Sequence, residues 1–507
     1  MAGETILKLI DAVPDERPAI GAPGRPTMTF GGLKALARRT IAQLNIYGIG
    51  RNRRVAIVLD NGPEMAASFV AIAAAATTAP LNPAYRAEEF EFYLTDLKAA
   101  ALIVAKGSET PARAVAGKLG VPIIELVTPP VGPAGDFTLE LATLTGISVA
   151  DGPAQADDIA LVLHTSGTTS RPKMVPLSHA NVCASARHIR DTLALTPADI
   201  CLNIMPLFHI HGLMAATLAS LSAGASVVCT PGFNALKFFG WLDEVKPTWY
   251  TAVPTMHQAL LARAERNKEI ASRAKLRLIR SSSASLPPQV MQALEETFHC
   301  PVIESYGMTE ASHQMASNPL PPRARKPGSV GVAAGPEVAI MDEAGALIAR
   351  GGLGEIVIRG PNVTKGYEAN PDANAKAFAN GWFRTGDQGT IDDEGYLRIT
   401  GRLKELINRG GEKVSPLEVD EILMDHPAVQ QAVTFAMPHD KLGEEVACAV
   451  VLREGTNASE REIRDFAATR LADFKVPRKV VILAEIPKGA TGKLQRIGLA
   501  QKLGLSA

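Results

Sequence analysis

A loop crowded with hydroxyl side chains follows a short apolar run in the first third of the chain. The run is Leu161-Val162-Leu163, and the loop continues as His164-Thr165-Ser166-Gly167-Thr168-Thr169-Ser170-Arg171-Pro172-Lys173. Backbone N–H groups and hydroxyls in such a turn can cradle a polyphosphate, and the final lysine adds a positive charge. The GxxxxGK[ST] pattern of a P-loop is absent, and most loops of this composition are simply solvated. The residues alone leave both interpretations open.

Four later segments combine glycine with a few polar side chains. They read Ser305-Tyr306-Gly307-Met308-Thr309-Glu310, Gly381-Trp382-Phe383-Arg384-Thr385-Gly386-Asp387, Gly401-Arg402-Leu403-Lys404-Glu405 and Pro487-Lys488-Gly489-Ala490-Thr491-Gly492-Lys493. Taken singly, such residues have ordinary roles: Tyr306 in a core, Asp387 in a turn, Lys493 on the surface. Their chemistry becomes informative when the segments are taken together and in order.

Together, the five segments resemble the signature motifs of the adenylate-forming superfamily, which includes acyl-CoA synthetases, luciferases and peptide-synthetase adenylation domains. The resemblance spans residues 165–493 and departs from the family pattern at Ser170 and Met174, where glycine is usual. It implies an ATP-dependent ligase that turns a carboxylate into an acyl-adenylate and passes the acyl group to the thiol of coenzyme A (CoA). Two anions meet in that first transition state, so the reaction needs cations positioned beforehand.

The resemblance also assigns residues to the nucleotide. Those expected to bind ATP or AMP are Thr165, Ser166, Gly167, Thr168, Thr169, Lys173, Tyr306, Gly307, Met308, Thr309, Asp387, Arg402 and Lys493. Next to this set, Glu310 is expected to hold Mg²⁺ against the phosphates, and Thr309, within it, to contact a phosphate. Tyr306 offers a ring face to adenine, and Asp387 offers two acceptor oxygens to the ribose hydroxyls, with Arg402 in support.

The second half-reaction requires the thiol to reach the adenylate, whose approach Lys493 occupies during the first. The resemblance implies that the small domain rotates about Lys404, withdraws Lys493 and brings Gly410 and Gly411 to the pantetheine arm of CoA. The segment around Lys493 also resembles the acetylation context of bacterial acyl-CoA synthetases. A lysine acetyltransferase that neutralises Lys493 is therefore an expected partner.

The acyl-binding residues are expected to be Ser283, His209 and His313, with His209 near the reacting carboxylate. The runs 309–320 and 164–171 resemble the oxalyl-CoA synthetase branch. A second carboxylate in a pocket is costly unless cations or donors meet it; the two histidines can charge beside a dianion, and Ser283 can donate. Ser305 stands where malonyl-CoA synthetases carry arginine, which argues against malonate. Oxalate is the expected acid.

Other functions remain open from the sequence. A medium-chain fatty acid or an aromatic acid is the alternative substrate, because one methylene or polar contact changes specificity only modestly. A stand-alone adenylation module that loads a carrier protein is the alternative of another class.

Two domains must position these residues, since 507 residues exceed one hydrophobic core. Helical patterns at 32–47 and 63–75 alternate with apolar strand patterns at 54–59 and 101–105, which predicts largely parallel sheets covered on both faces. The predicted organisation is α/β: a large N-terminal adenylation domain of several subdomains at 1–400, a hinge at 401–404, and a small mobile α+β lid at 405–507. A helix is predicted to start at Ser415-Pro416-Leu417-Glu418.

Composition excludes several classes of protein. Lys+Arg and Asp+Glu both total 52, so net charge gives no attraction to nucleic acid or to an anionic membrane. The five cysteines show no metal-ligand spacing. Two uncharged stretches, 65–85 and 209–236, contain proline or glycine and predict buried elements, not membrane spans. The sequence predicts a cytoplasmic enzyme without a nucleic-acid or membrane partner and leaves its oligomeric state open.

Overall fold

Short apolar strands alternate with helices along the first three hundred or so residues, as the sequence patterns predict. The computed structural model describes residues 4–141, 149, 151–165, 172–488 and 494–505. Ser166, Gly167, Thr168, Thr169 and Lys493 lie outside the described residues. No helix in the described ranges is long and apolar enough to cross a membrane.

The helices are bounded as follows. They are α1 Ile6–Asp11, α2 Phe30–Ile46, α3 Pro63–Ala73, α4 Ala87–Leu97, α5 Pro111–Leu119, α6 His179–Thr192, α7 Ala219–Ser222, α8 Phe238–Val245, α9 Pro254–Ala264, α10 Lys268–Arg273, α11 Pro288–Phe298, α12 Pro371–Ala377, α13 Pro416–Met424, α14 Glu460–Ala468 and α15 Leu499–Lys502. A π-helix, His211–Leu218, runs directly into α7, and short 3₁₀ turns occupy Glu265–Asn267, Thr309–Ala311 and Asp473–Lys475.

The strands are bounded as follows. They are β1 Pro18–Ala22, β2 Arg25–Thr29, β3 Arg54–Val58, β4 Thr77–Pro80, β5 Ala101–Ala105, β6 Ile123–Val127, β7 Thr138–Leu141, β8 Ile159–Thr165, β9 Lys173–Ser178, β10 Ile200–Asn203, β11 Ser226–Cys229, β12 Trp249–Ala252, β13 Leu278–Ser282, β14 Val302–Met308, β15 His313–Ser317, β16 Val332–Ala333, β17 Glu337–Met341, β18 Leu347–Ile348, β19 Gly354–Arg359, β20 Phe378–Ala379, β21 Trp382–Ile391, β22 Leu397–Arg402, β23 Ile407–Arg409, β24 Glu412–Val414, β25 Val429–His439, β26 Gly443–Leu452 and β27 Lys479–Ile482.

Two large sheets form the framework of the N-terminal part. Within the described residues one has the order β7-β6-β5-β3-β4-β8-β9 and the other β16-β15-β14-β13-β12-β10-β11-β1-β2. Their central pairs are parallel, and antiparallel pairs lie toward their edges. A third, antiparallel sheet (β18-β17-β19-β21-β20, with β22 on β21) follows. The predicted α/β organisation is confirmed.

Helices cover both large sheets on both faces. The largest hydrophobic core contains residues of both sheets, such as Ile57 and Ile303. It also contains residues of the helices α2, α3 and α6 and of the π-helix. Two smaller cores pack the outer faces, one under α4 and α5 and the other under α8, α9 and α11. Continuous apolar strands are the sequence signature of sheets buried in this way, which is why β3 and β5 could be predicted from the runs at 54–59 and 101–105.

A small α+β unit follows β22. Its sheet has the order β24-β23-β26-β25, with β27 on β26, and α13 begins as predicted, because the Ser415 hydroxyl accepts a hydrogen bond from the Glu418 N–H at 3.4 Å. Gly401 and Arg402 still pair with β21, and Lys404 stands in the exposed turn that follows. Gln258 accepts a hydrogen bond from the Gln431 amide at 3.0 Å, which connects the unit to α9.

Candidate active site

Tyr306, Asp387 and Arg402 meet where β14 approaches the third sheet. The Tyr306 hydroxyl donates to Asp387 Oδ2 at 2.5 Å, and Arg402 Nε donates to Oδ1 at 3.0 Å. The Asp387 carboxylate raises the pKa of Arg402, and burial raises the pKa of Tyr306. Each carboxylate oxygen has a second lone pair, so Asp387 can still accept hydrogen bonds from a vicinal diol. The three residues that the sequence assigned to the nucleoside therefore lie together.

Glu310, Tyr367 and Lys173 form a second group at the start of β9. The 3₁₀ turn between β14 and β15 carries Glu310, whose side chain accepts a hydrogen bond from the Tyr367 hydroxyl at 2.8 Å. Lys173 Nζ lies 4.5 Å from the centroid of the Tyr367 ring, a cation–π distance. Thr165 of β8 is paired in register with Lys173 of β9, so Thr165 lies next to the residue that contacts the Tyr367 ring.

Burial is the largest influence on the charge of Glu310 and shifts its pKa upward, so a cation beside the carboxylate would offset the cost of its burial. The hydrogen bond from Tyr367 and the charge of Lys173 act in the opposite direction. No cluster of three or more His, Cys, Asp or Glu side chains within the described residues could hold a metal. Mg²⁺ is usually held by one or two carboxylates together with phosphate oxygens and water. A single carboxylate that shares Tyr367 with Lys173 fits an ion that arrives with ATP.

Tyr367 has no assigned role from the sequence, and its contacts make it testable. Tyr367→Phe keeps the ring under Lys173 and removes only the hydrogen bond to Glu310. Because hydrogen bonds to charged groups contribute about 1.5–3 kcal/mol, we expect adenylation to fall about tenfold to hundredfold, with a higher Mg²⁺ requirement. Pyrophosphate exchange measured against Mg²⁺ concentration checks this. An unchanged Mg²⁺ dependence would make the bond to Glu310 merely structural.

A third group of polar side chains lies at the carboxyl end of β13. His211 Nδ1 is 3.1 Å from the Ser283 hydroxyl, and its Nε2 is 2.6 Å from the Thr251 hydroxyl. The ring of His313 lies edge-on to His211, with centroids 4.9 Å apart. His209 is half-buried, and its Nδ1 accepts a hydrogen bond from the His211 N–H at 3.2 Å. The structure thus brings the three expected acyl-site residues around a fourth, His211.

The backbone is unusual at this third group. Ser283, Ser312 and His313 have positive φ values of 75°, 49° and 101°, a region that non-glycine residues rarely adopt. A Cβ on Gly307 would lie 2.0 Å from the His313 carbonyl oxygen, so only glycine lets β14 and β15 approach this closely. The π-helix begins at His211 itself. Backbone strain and π-helical turns both concentrate at functional sites.

The residues expected to serve CoA and domain rotation lie on the small unit and its connection. Gly410 and Gly411 form the exposed turn between β23 and β24, with φ values of 60° and 99°. Lys404 is exposed. Lys493 lies outside the described residues, but Lys488 and Leu494 form an antiparallel bridge, so the two ends of its loop lie side by side.

Known proteins resemble the chain over its whole length. The model of the AMP-binding enzyme family matches residues 10–368, and that of the AMP-binding enzyme C-terminal domain matches residues 418–493. An oxalate–CoA ligase of Arabidopsis thaliana is 46% identical over 99% of both chains, and one of Saccharomyces cerevisiae is 41% identical over 91% of this chain and 89% of its own.

Among solved structures, ATP-bound MatB from Rhodopseudomonas palustris has a TM-score of 0.87 at 30% identity and covers 99% of this chain and 97% of its own. Its apo structure gives 0.78 over 98% of each chain. The matched residues 10–368 include Tyr306 of the first group and all residues of the second and third groups. Asp387 and Arg402 of the first group lie beyond that range. On this agreement of sequence, fold and site, the chain belongs to the AMP-binding enzyme family.

Proposed function

We propose that this AMP-forming acid–CoA ligase takes oxalate as its acid, with ATP and CoA as co-substrates. The observation that carries the proposal is the polar lining of the acyl site. His211 and His313 are almost completely buried around Ser283, and Gln314 beside them is buried as well. An apolar tail in this position would strip water from polar groups without replacing their hydrogen bonds. A small dianion meets donors instead.

The nucleoside end of the reaction rests on the first group. Asp387 accepts the ribose hydroxyls, and Arg402 holds the carboxylate in place from the connection to the small domain. The Tyr306 hydroxyl fixes the other carboxylate oxygen, which leaves the ring beside the adenine. These contacts are formed before the substrate binds, so they cost little reorganisation during the reaction.

The phosphate end rests on Glu310, Lys173 and the loop 166–171. Oxalate attacks the α-phosphorus, the bond to the pyrophosphate oxygen breaks, and oxalyl-adenylate forms. Mg²⁺ held by Glu310 would neutralise charge on the phosphates. Lys173 adds a fixed charge next to the loop, and Lys493 reaches the carboxylate and α-phosphate from the small domain. The proposal gives each cation a place where negative charge accumulates.

The thioester end requires a different arrangement of the small domain. Rotation about Lys404 removes Lys493 and brings the Gly410-Gly411 turn toward the adenylate. The CoA thiol then attacks the oxalyl carbonyl, the bond to the AMP oxygen breaks, and oxalyl-CoA leaves with AMP. The two glycines favour this role because a side chain at either position would narrow the path for pantetheine.

A panel of acids tests the substrate. We expect CoA-dependent AMP formation to be highest with oxalate, and lower with malonate, acetate, hexanoate and benzoate. Each acid is also assayed without CoA, since adenylation alone appears as pyrophosphate release. A preference for hexanoate or benzoate would overturn oxalate and leave the ligase reaction intact. If a carrier protein accelerates AMP formation and CoA does not, the carrier-loading alternative is favoured.

His313→Ala tests whether His313 contributes to the preference for oxalate. Its ring packs on His211, close to where a dianion must sit, so its removal leaves the second carboxylate less well compensated. We expect kcat/KM for oxalate to fall about ten- to hundredfold and that for acetate to change far less. His209→Ala and Ser283→Ala should show smaller losses in the same direction. Equal losses for both acids would make His313 a structural residue.

A further inference from the structure

One arginine of the nine-stranded sheet is buried without a carboxylate partner. Arg280 lies in the middle of β13, and its side chain is completely buried. Every Asp and Glu of the chain lies within the described ranges, and none forms an ion pair with Arg280. Its Nε and Nη1 have no hydrogen-bond partner among the described residues. Burial lowers the pKa of Arg280 to about 9.

Arg280 belongs spatially to the acyl site. It is paired in register with Thr251 of β12, so both side chains project from the same face of the sheet. Thr251 is the hydroxyl that contacts His211 Nε2, and His211 in turn contacts Ser283. The Arg280 side chain and the hydroxyl that contacts His211 therefore project from the same face of the sheet, from paired positions on neighbouring strands.

A second contact fixes the guanidinium from the side of His313. Arg280 Nη2 donates to Gln314 Oε1 at 3.3 Å. The Gln314 amide nitrogen donates to the Thr192 hydroxyl and to the Ala334 carbonyl, both at 3.0 Å. These two bonds orient the amide so that its oxygen faces Arg280. Arg280 is thus held by one side-chain hydrogen bond, and its Nε and Nη1 have no hydrogen-bond partner among the described residues.

A buried cation without a counter-charge is unfavourable, and an anion that binds beside it removes that penalty. The ligand chemistry that fits is a second carboxylate close to the reacting one, because a fork of N–H donors matches a carboxylate. We propose that Arg280 is the counter-charge for the non-reacting carboxylate of the acid and thereby determines specificity for a dicarboxylate. This inference rests on oxalate as the substrate.

The proposal also explains why an apolar tail is excluded. Arg280 and Gln314 are both completely buried, and Gln314 directly follows His313 in the chain. An alkyl or aryl group extending toward them would leave a cation and an amide in contact with carbon. A monoanionic acid of similar size, such as glyoxylate, would fit but would not pair with the guanidinium.

Arg280→Met tests the charge at nearly constant volume. We expect the KM for oxalate to rise about 30-fold or more, with kcat changed less, because the contact is present in the ground state as well as in the transition state. The kcat/KM for acetate and glyoxylate should stay within about threefold. Arg280→Lys keeps a charge without the fork and should give an intermediate KM. The thermal unfolding temperature of each variant serves as the folding control.

Each result supports or overturns the inference. If oxalate and the monocarboxylates lose activity equally, Arg280 is structural and the inference is wrong, although wild type still prefers oxalate. If wild type prefers a monocarboxylate, the proposed substrate falls and the inference falls with it. If Arg280→Met does not fold, Arg280→Gln is measured in its place, since its amide can donate to Gln314, and the same oxalate-to-glyoxylate ratio decides.

Discussion

Lys493→Ala should lose adenylate formation almost completely and keep thioester formation from preformed acyl-adenylate. Removing one group that stabilises charge in a transition state typically costs 10²- to 10³-fold in rate, and we expect at least about that loss in pyrophosphate release. The reason is the proposed role of Lys493, which serves only one arrangement of the small domain. In the other proposed arrangement it is withdrawn from the carbonyl that the thiol attacks.

The matched control is Lys488→Ala, five residues earlier in the same segment. Lys488 is exposed and pairs with Glu485 at 2.8 Å, so its loss should leave both half-reactions unchanged. Enzymatic acetylation of Lys493 removes the same charge and should reproduce the loss, reversibly on deacetylation. Equal loss of both half-reactions in Lys493→Ala would contradict a lysine that serves adenylation alone.

Lys404→Pro should have the opposite effect: adenylate forms and persists, and thioester formation becomes rate-limiting. Lys404 follows the last residues paired in β22 and stands in the turn that leads to β23. Proline fixes φ near −65° and restricts the residue before it, so rotation about this position is blocked. We expect at least about a hundredfold decrease in single-turnover thioester formation, with pyrophosphate exchange largely retained.

Lys404→Ala is the control, since it removes the charge and leaves the backbone free to rotate. It should behave as wild type in both half-reactions. If Lys404→Pro turns over at the wild-type rate, the rotation occurs at another residue.

The sequence determined the chemistry class and the fold class, and it predicted which residues bind the nucleotide. The roles predicted for Asp387, Arg402 and Glu310 depend on side-chain type within a local motif, so the motif can be recognised without knowledge of the fold. The apolar runs at 54–59 and 101–105 became β3 and β5, because a strand covered on both faces has no polar side to obscure its pattern. The start of α13 at Ser415 was fixed by capping, which involves only neighbouring residues.

The acyl site was decided by tertiary structure. His209 and His211 stand two positions apart in one apolar run, and no local property shows which ring faces Ser283. In the sequence, Arg280 is a single charged residue within a run that predicts no role for it. Its proposed role follows only from the fold, in which β12 pairs Thr251 with it and β15 supplies Gln314 as its hydrogen-bond partner. Among the described residues, no carboxylate forms an ion pair with it.

The physical reason is the range of the interactions. Motifs, caps and apolar strands are short-range properties, set by residues a few positions apart. The environment of Tyr367, which joins Glu310 to Lys173, and that of Arg280 are set by residues far apart in the chain. Burial and missing counter-charges belong to the folded chain, so the sequence determined the reaction, and the tertiary structure decided which side chains surround the acid.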